Sequence, residues 1–170
     1  MLTVVTGGSA SGKSTYAENL LSQAEGKLYI ATMEPYDDEC LERIARHRKM
    51  RKGKGFDTIE CYTDIGSVAD SVKGRNVLLE CMSNLLANEM YSETGRGKDH
   101  AFDNIVGPII EMSKWCENFV VVTNEIFSDG CDVSEETLDY IKILGRINRA
   151  LVEASDRAVL ITCGLERIIK

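Results

Sequence analysis

Short apolar runs of strand length alternate along this chain with segments whose apolar residues recur at helical spacing. Leu2, Thr3, Val4 and Val5 open the series as a buried strand, and Ala17, Leu20, Leu21 and Ala24 follow at i, i+3, i+4 and i+7, one face of a helix. Residues 27–32 read as a second strand. After the loop 33–37 comes a helix with Leu41, Ile44 and Ala45 on its buried face and Glu39–Arg43 and Glu42–Arg46 as i,i+4 ion pairs. The pattern then predicts a strand over 57–61, a helix over 65–73, a buried strand over 76–81 and a helix over 84–90. Residues 91–100 read as a polar surface loop, and a helix over 102–117 is expected to start late or kink at Gly107 and Pro108. Residues 119–123 form the most apolar strand, followed by a loop over 126–132. Asp132 and Glu135 make a capping box for a helix through Ala154, striped by Leu138, Ile141, Leu144, Ile147 and Leu151. A strand over 158–163 is followed by the tail Ile168, Ile169 and Lys170, read as an added edge strand. Strands separated by helices imply right-handed βαβ crossovers and a mostly parallel sheet. With no linker and no repeat, residues 1–170 read as one α/β domain.

Composition narrows the class. Apolar residues make up 44% and charged residues 28%, a globular rather than a disordered balance. No apolar run reaches the ~18–20 residues of a membrane span. The chain enters a strand at once, without a basic or cleavable apolar leader, so a cytoplasmic location is expected. The six cysteines include no C-x-x-C pair and read as buried free thiols, not as a zinc site. The net charge of −7 argues against generic nucleic-acid binding. It hides one exception: Arg43, Arg46, Arg48, Lys49, Arg51, Lys52 and Lys54 cluster around His47 with no acid among them. Two glycines among the lysines, Gly53 and Gly55, predict a mobile lid at the end of this cluster.

The candidate chemistry begins at Gly7-Gly8-Ser9-Ala10-Ser11-Gly12-Lys13-Ser14, which fits G-x-x-x-x-G-K-[ST] between a strand and a helix. Glycines let backbone N–H groups converge on an anion, and the unsatisfied amides of the helix start favour negative charge. Lys13 is placed to reach the β- and γ-phosphates of a nucleoside triphosphate, and the Ser14 hydroxyl to coordinate Mg2+. Glu80, at the end of an apolar strand, has the position of a second magnesium-holding acid, because parallel strands deliver functional residues at their C-terminal ends. His47 lies between Arg46 and Arg48, whose like charge disfavours an imidazolium, while their guanidiniums suit a phosphate. That combination fits a covalent phospho-histidine intermediate; a solvated histidine on the basic face of a P-loop small-molecule kinase is the alternative.

The P-loop opening, Tyr29-Ile30-Ala31-Thr32, Arg43-Ile44-Ala45-Arg46-His47-Arg48, Leu78-Leu79-Glu80-Cys81, Thr123-Asn124-Glu125 and Gly145-Arg146-Ile147-Asn148 together resemble one family across nearly the whole chain. It is the bifunctional adenosylcobinamide kinase / adenosylcobinamide-phosphate guanylyltransferase family of cobalamin synthesis. The resemblance implies a RecA-like P-loop fold, a trimer, and two reactions. A nucleoside triphosphate (GTP or ATP) phosphorylates adenosylcobinamide, and GTP then guanylylates a histidine that passes GMP to the phosphate just made. The nucleotide-accepting histidine matches His47. The GTP-contacting positions match Gly7, Gly8, Ser9, Ala10, Ser11, Gly12, Lys13 and Ser14, then Ala31, Thr32 and Met33, then Arg48, Lys49, Met50 and Arg51, and finally Glu60 and Glu80. After Asn124-Glu125 the chain departs from the family's glycine- and proline-bearing turn.

Overall fold

The computed structural model describes residues 1–126 and 134–170, and the side chains of all of these except Glu39 and Met50. Most of the loop expected over 126–132, Asp132 of the expected capping box and the Glu39 partner of Arg43 therefore lie outside the described residues. Among the described residues seven strands form one sheet: β1 (Leu2–Gly7), β2 (Lys27–Ala31), β3 (Phe56–Glu60), β4 (Asn76–Leu79), β5 (Asn118–Val122), β6 (Arg157–Thr162) and β7 (Leu165–Ile168). Their order is β3-β2-β4-β5-β1-β6-β7. All neighbours pair in parallel except β6 and β7; the added edge strand expected over 168–170 lies earlier, at Leu165–Ile168, and shares only Ile168 with that tail.

Alternation along the central strands fixes the two faces. Val77, Leu79, Phe119 and Val121 point into one core, and Leu78, Val120 and Val122 into the other. A strand buried on both faces reads as a continuous apolar run, which is why these runs were visible in sequence. The first core is covered by a 3-10 helix (Ile65–Val72), α3 (Met82–Tyr91), α4 (Lys98–Ser113) and α5 (Glu135–Ala154). On the second, α1 (Lys13–Leu20) supplies Ala17, with Leu21 just beyond it.

Several elements differ from expectation for identifiable reasons. Leu20 is exposed at the end of α1, whereas Ala17, Leu21 and the partly buried Ala24 pack on the second core. In α2 (Asp38–Arg51) Leu41 and Ala45 are exposed and Ile44 is half-buried, so this helix has no apolar face; it is held by polar contacts, described below. Residues 98–100 belong to α4, which starts after Gly97 and runs uninterrupted through Gly107 and Pro108. Pro108 stays inside the helix, with its ring lying against Gly66 of the 3-10 helix. The N-cap of α5 is Ser134, whose hydroxyl accepts from the Thr137 N–H, and Leu138 in its first turn is exposed. The five described cysteines are free thiols, yet only Cys61 is buried, and Cys163 is exposed in the β6–β7 turn.

Candidate active site

Parallel strands place their C-terminal ends along one edge of the sheet, and β1 delivers the glycine-rich loop there. Gly12 takes φ +94° at the N-cap of α1, a left-handed conformation that glycine adopts without strain. The loop is pinned from outside by the Gly164 N–H, which donates to the Ser11 carbonyl. Gly7 is required by proximity: a Cβ there would lie 2.4 Å from the Ile161 carbonyl oxygen of β6 and 2.6 Å from Ser11 Oγ. Gly7→Ala is therefore expected to cost roughly 2–3 kcal/mol by overpacking, a drop of about 4–12 °C in melting temperature. Gly8→Ala, with open space around the added carbon, should melt close to wild type in the same thermal denaturation.

A cavity of about 650 Å³ opens over this loop. Its wall includes Ser9 to Ser14, Met33, Arg43, Arg46, His47, Glu80, Asn84 and Asn124. Lys13 Nζ donates to the Gly8 carbonyl at 2.9 Å, and burial lowers the lysine's pKa from its ordinary value. An anion brought into the cavity would reverse that shift by favouring the charged form. Ser14 and Glu80 line the same space, so the expected hydroxyl and carboxylate for magnesium are both present. A hydroxyl and one carboxylate fit Mg2+ held mainly by phosphate oxygens and water. Among the described residues no group of three acidic, histidine or cysteine side chains could hold a metal on its own.

Glu80 has a second partner. His47 Nδ1 lies 3.2 Å from Glu80 Oε1, and Glu80 is 7% exposed. Tyr29 stands beside Glu80 as well; burial first, and then that carboxylate, push its phenol far up, so it stays protonated. A proton on Nδ1 shared with the carboxylate leaves the Nε2 lone pair of a neutral ring free. Carboxylate, imidazole and phosphate loop thus stand in the order that nucleophilic catalysis by histidine requires.

Of the remaining expected residues, Ala31, Arg48, Arg51 and Glu60 lie on the far side of the His47–Glu80 pair. A narrow cleft there is lined by Ala31, Arg48, Arg51, Glu60 and Tyr62, with His47 and Glu80 as its shared wall. Arg48 pairs with Glu60, and Arg51, 8% exposed, lays its guanidinium 3.5 Å from the Tyr29 ring centroid. Arg48, Lys49 and Arg51 also line an outer basic cavity of about 680 Å³ over Phe56 and Thr58. In the segment expected to form a mobile lid, Lys54 pairs with the buried Glu18 of α1. Thr32 faces neither cavity; it is fully buried and donates its hydroxyl proton to the Cys81 carbonyl, holding the β2 end against the β4 end.

Asn84 and Asn124, which sequence reasoning did not single out as site residues, enter through tertiary contacts. Asn124 donates to Ser83 Oγ, and Asn148 of α5 accepts from Thr123 Oγ1 and donates to the Asn124 carbonyl. The Thr123-Asn124-Glu125 and Gly145-Arg146-Ile147-Asn148 segments are therefore one lock between β5 and α5. Their joint occurrence was the signal available in the sequence.

A parallel sheet presenting this loop, with its lysine folded into the cavity, defines a P-loop nucleotide-binding protein. Within that class, the chain belongs to the cobinamide kinase / cobinamide phosphate guanyltransferase family, whose model matches residues 3–169. It is 31% identical to the bifunctional adenosylcobalamin biosynthesis protein CobU of Salmonella typhimurium over the full length of both chains. It is 25% identical to CobP of Pseudomonas aeruginosa, a protein of the same description, over 100% of this chain and 98% of that one. A KaiC-like protein from Pyrococcus horikoshii OT3 shares the fold, with a TM-score of 0.55 at 10% identity over 94% of this chain and 69% of that one.

Proposed function

We propose that this chain phosphorylates adenosylcobinamide with a nucleoside triphosphate, ATP or GTP, and then transfers GMP from GTP to the product through His47. The observation that carries the reading is the His47–Glu80 pair opening onto the same cavity as Lys13 and the glycine loop. In the guanylyl step, His47 Nε2 attacks the α-phosphorus of GTP, and the bond from the α-phosphorus to the bridging oxygen breaks. Pyrophosphate leaves with that electron pair and is steadied by Lys13 and the loop amides. A phosphate oxygen of cobinamide phosphate then attacks the same phosphorus, the P–N bond breaks, and His47 recovers its lone pair. Ser14 and Glu80 would hold Mg2+, which supplies Lewis-acid neutralisation of phosphate charge. Arg43 and Arg46 line the cavity on the side of His47 and suit the acceptor's phosphate. Arg48, Lys49, Arg51 and Glu60, across the His47–Glu80 wall, are assigned to the nucleoside end of GTP. The protein acts in the cytoplasm, and the assembly implied by its family is a trimer; among the described residues no helix is long and apolar enough to cross a membrane.

The test is covalent labelling without acceptor. GTP carrying label at the α-phosphorus is expected to mark the protein with an acid-labile, alkali-stable bond, and γ-labelled GTP is expected to leave no such mark. Absence of α-label would remove the guanylyltransferase half of the proposal and leave a P-loop kinase.

A further inference from the structure

A second cavity, of about 600 Å³, lies beside the P-loop cavity and takes no part in the nucleotide chemistry above. The two share their walls. On α3, Asn84 lines the P-loop cavity, while Ala87, Asn88 and Tyr91 line the second. Positions 84, 87, 88 and 91 form one helical face, about 10 Å long at 1.5 Å per residue. On the opposite side Met33 faces the P-loop cavity, and Glu34 and Tyr36 face the second.

The shared wall is held in place by buried polar contacts. Asn88, 4% exposed, donates to the Thr32 carbonyl at 2.9 Å and to the Tyr62 carbonyl at 3.0 Å, tying α3 to the ends of β2 and β3. The ring faces at the rim are exposed, Tyr36 to 62% and Tyr91 to 56%. The Tyr36 hydroxyl donates to Glu34 and to Asn88 Oδ1, and the Tyr91 hydroxyl to the Glu136 carbonyl, which leaves Glu34 its second oxygen and further lone pairs for a ligand. The charge of the two cavities is opposite. Lys13, Arg43 and Arg46 line the first, whereas the charged groups lining the second are Glu34 and Glu93. A polyphosphate is drawn to the first and repelled by the second.

We infer that the second cavity is the acceptor subsite, holding the amide-fringed edge of the corrin while the hydroxyl or phosphate arm runs along the α3 face into the P-loop cavity. Cobinamide has the chemistry that these walls recognise. Its ring carries primary amides, whose N–H groups the carboxylates of Glu34 and Glu93 and the Asn88 carbonyl oxygen accept. Its cobalt centre is cationic, which the two acids favour and the arginine-lined cavity does not. The two exposed tyrosines offer flat faces for its apolar surface. Opposite charge in adjoining cavities thus sorts nucleotide from acceptor and leaves their reactive ends meeting near Asn84 and His47. This assignment rests on the proposed function.

The experiment is equilibrium dialysis of cobinamide, followed by its corrin absorbance, against the full-length protein. Wild type is compared with Glu93→Lys and Tyr91→Ala, with α-labelling by GTP confirming that each variant is folded. Glu93 is exposed in the loop after α3, so its reversal leaves the core intact. Glu93→Lys is expected to weaken cobinamide binding by at least about tenfold, and to raise the KM for cobinamide phosphate while kcat holds. Tyr91→Ala is expected to do the same to a smaller degree. Cobinamide affinity equal to wild type in both variants overturns the subsite. Wild-type protein that takes up α-label but binds no cobinamide overturns the acceptor named in the proposed function, and the subsite with it.

Discussion

Replacing His47 by asparagine is expected to abolish α-labelling by GTP and to lower guanylyl transfer by roughly 10⁴- to 10⁶-fold, the scale on which removing an enzyme's nucleophile acts. Asparagine is the informative choice because of Glu80. That carboxylate is 7% exposed and 3.2 Å from His47 Nδ1, so alanine would leave it buried without its partner. Removing the hydrogen-bond partner of a buried carboxylate adds a desolvation penalty of its own. The asparagine amide nitrogen can go on donating to Glu80, so a loss of turnover reports on the missing nucleophile and not on a collapsed wall. The kinase step should keep its order of magnitude, because the γ-phosphoryl passes directly to the acceptor hydroxyl without visiting the histidine. Product analysis by chromatography separates the cases: cobinamide phosphate accumulates and cobinamide-GDP does not appear. Equal loss of both activities would show that His47 serves binding in general.

The sheet was legible in the chain because its central strands are buried on both faces, and runs such as Val77, Leu78 and Leu79 have few other readings. The phosphate loop was legible because its function needs contiguous residues. Misreadings fell where tertiary contacts replace an apolar stripe. In α2 the spacing of Leu41, Ile44 and Ala45 suggested a buried face, whereas the helix is fastened by His47 to Glu80, Arg48 to Glu60 and Arg51 over Tyr29. Charge pairs of this kind leave no periodic trace. Pro108 suggested a break or kink, yet α4 runs through it. Glu80 was expected as a magnesium ligand from its place at a strand end; its hold on His47 depends on where the basic helix crosses the sheet, which the sequence of neither segment specifies. Asn84 and Asn88 escaped notice for the same reason, and Asn124 was read only as part of a family motif. Each is an ordinary polar residue until the topology sets it against a cavity or a strand end.

Lys13→Met is expected to remove both activities together, and to do so without weakening the fold. The ammonium is the one positive group of the loop itself, and it donates to the Gly8 carbonyl from inside the cavity. Losing a donor aimed at developing phosphate charge costs about 10²- to 10³-fold in kcat, and the kinase and guanylyl steps both depend on it. Stability should move the other way. Burial lowers the Lys13 pKa in the folded protein, so the charged form is disfavoured there relative to the unfolded chain. At pH values below the lowered pKa the lysine therefore works against folding, and that penalty fades only as pH rises through the folded and then the unfolded value. At neutral pH an uncharged side chain of similar length escapes the penalty, so the free variant should melt at or above the wild-type temperature. Nucleotide reverses the ranking. Wild type gains stability from bound GTP in proportion to the logarithm of ligand concentration over Kd, and Lys13→Met should show little of that gain. Thermal denaturation with and without GTP and Mg2+ reads both effects in one experiment. A variant that melts well below wild type without nucleotide would mean that Lys13 supports the loop's structure, and the desolvated, phosphate-seeking role assigned to it would fall.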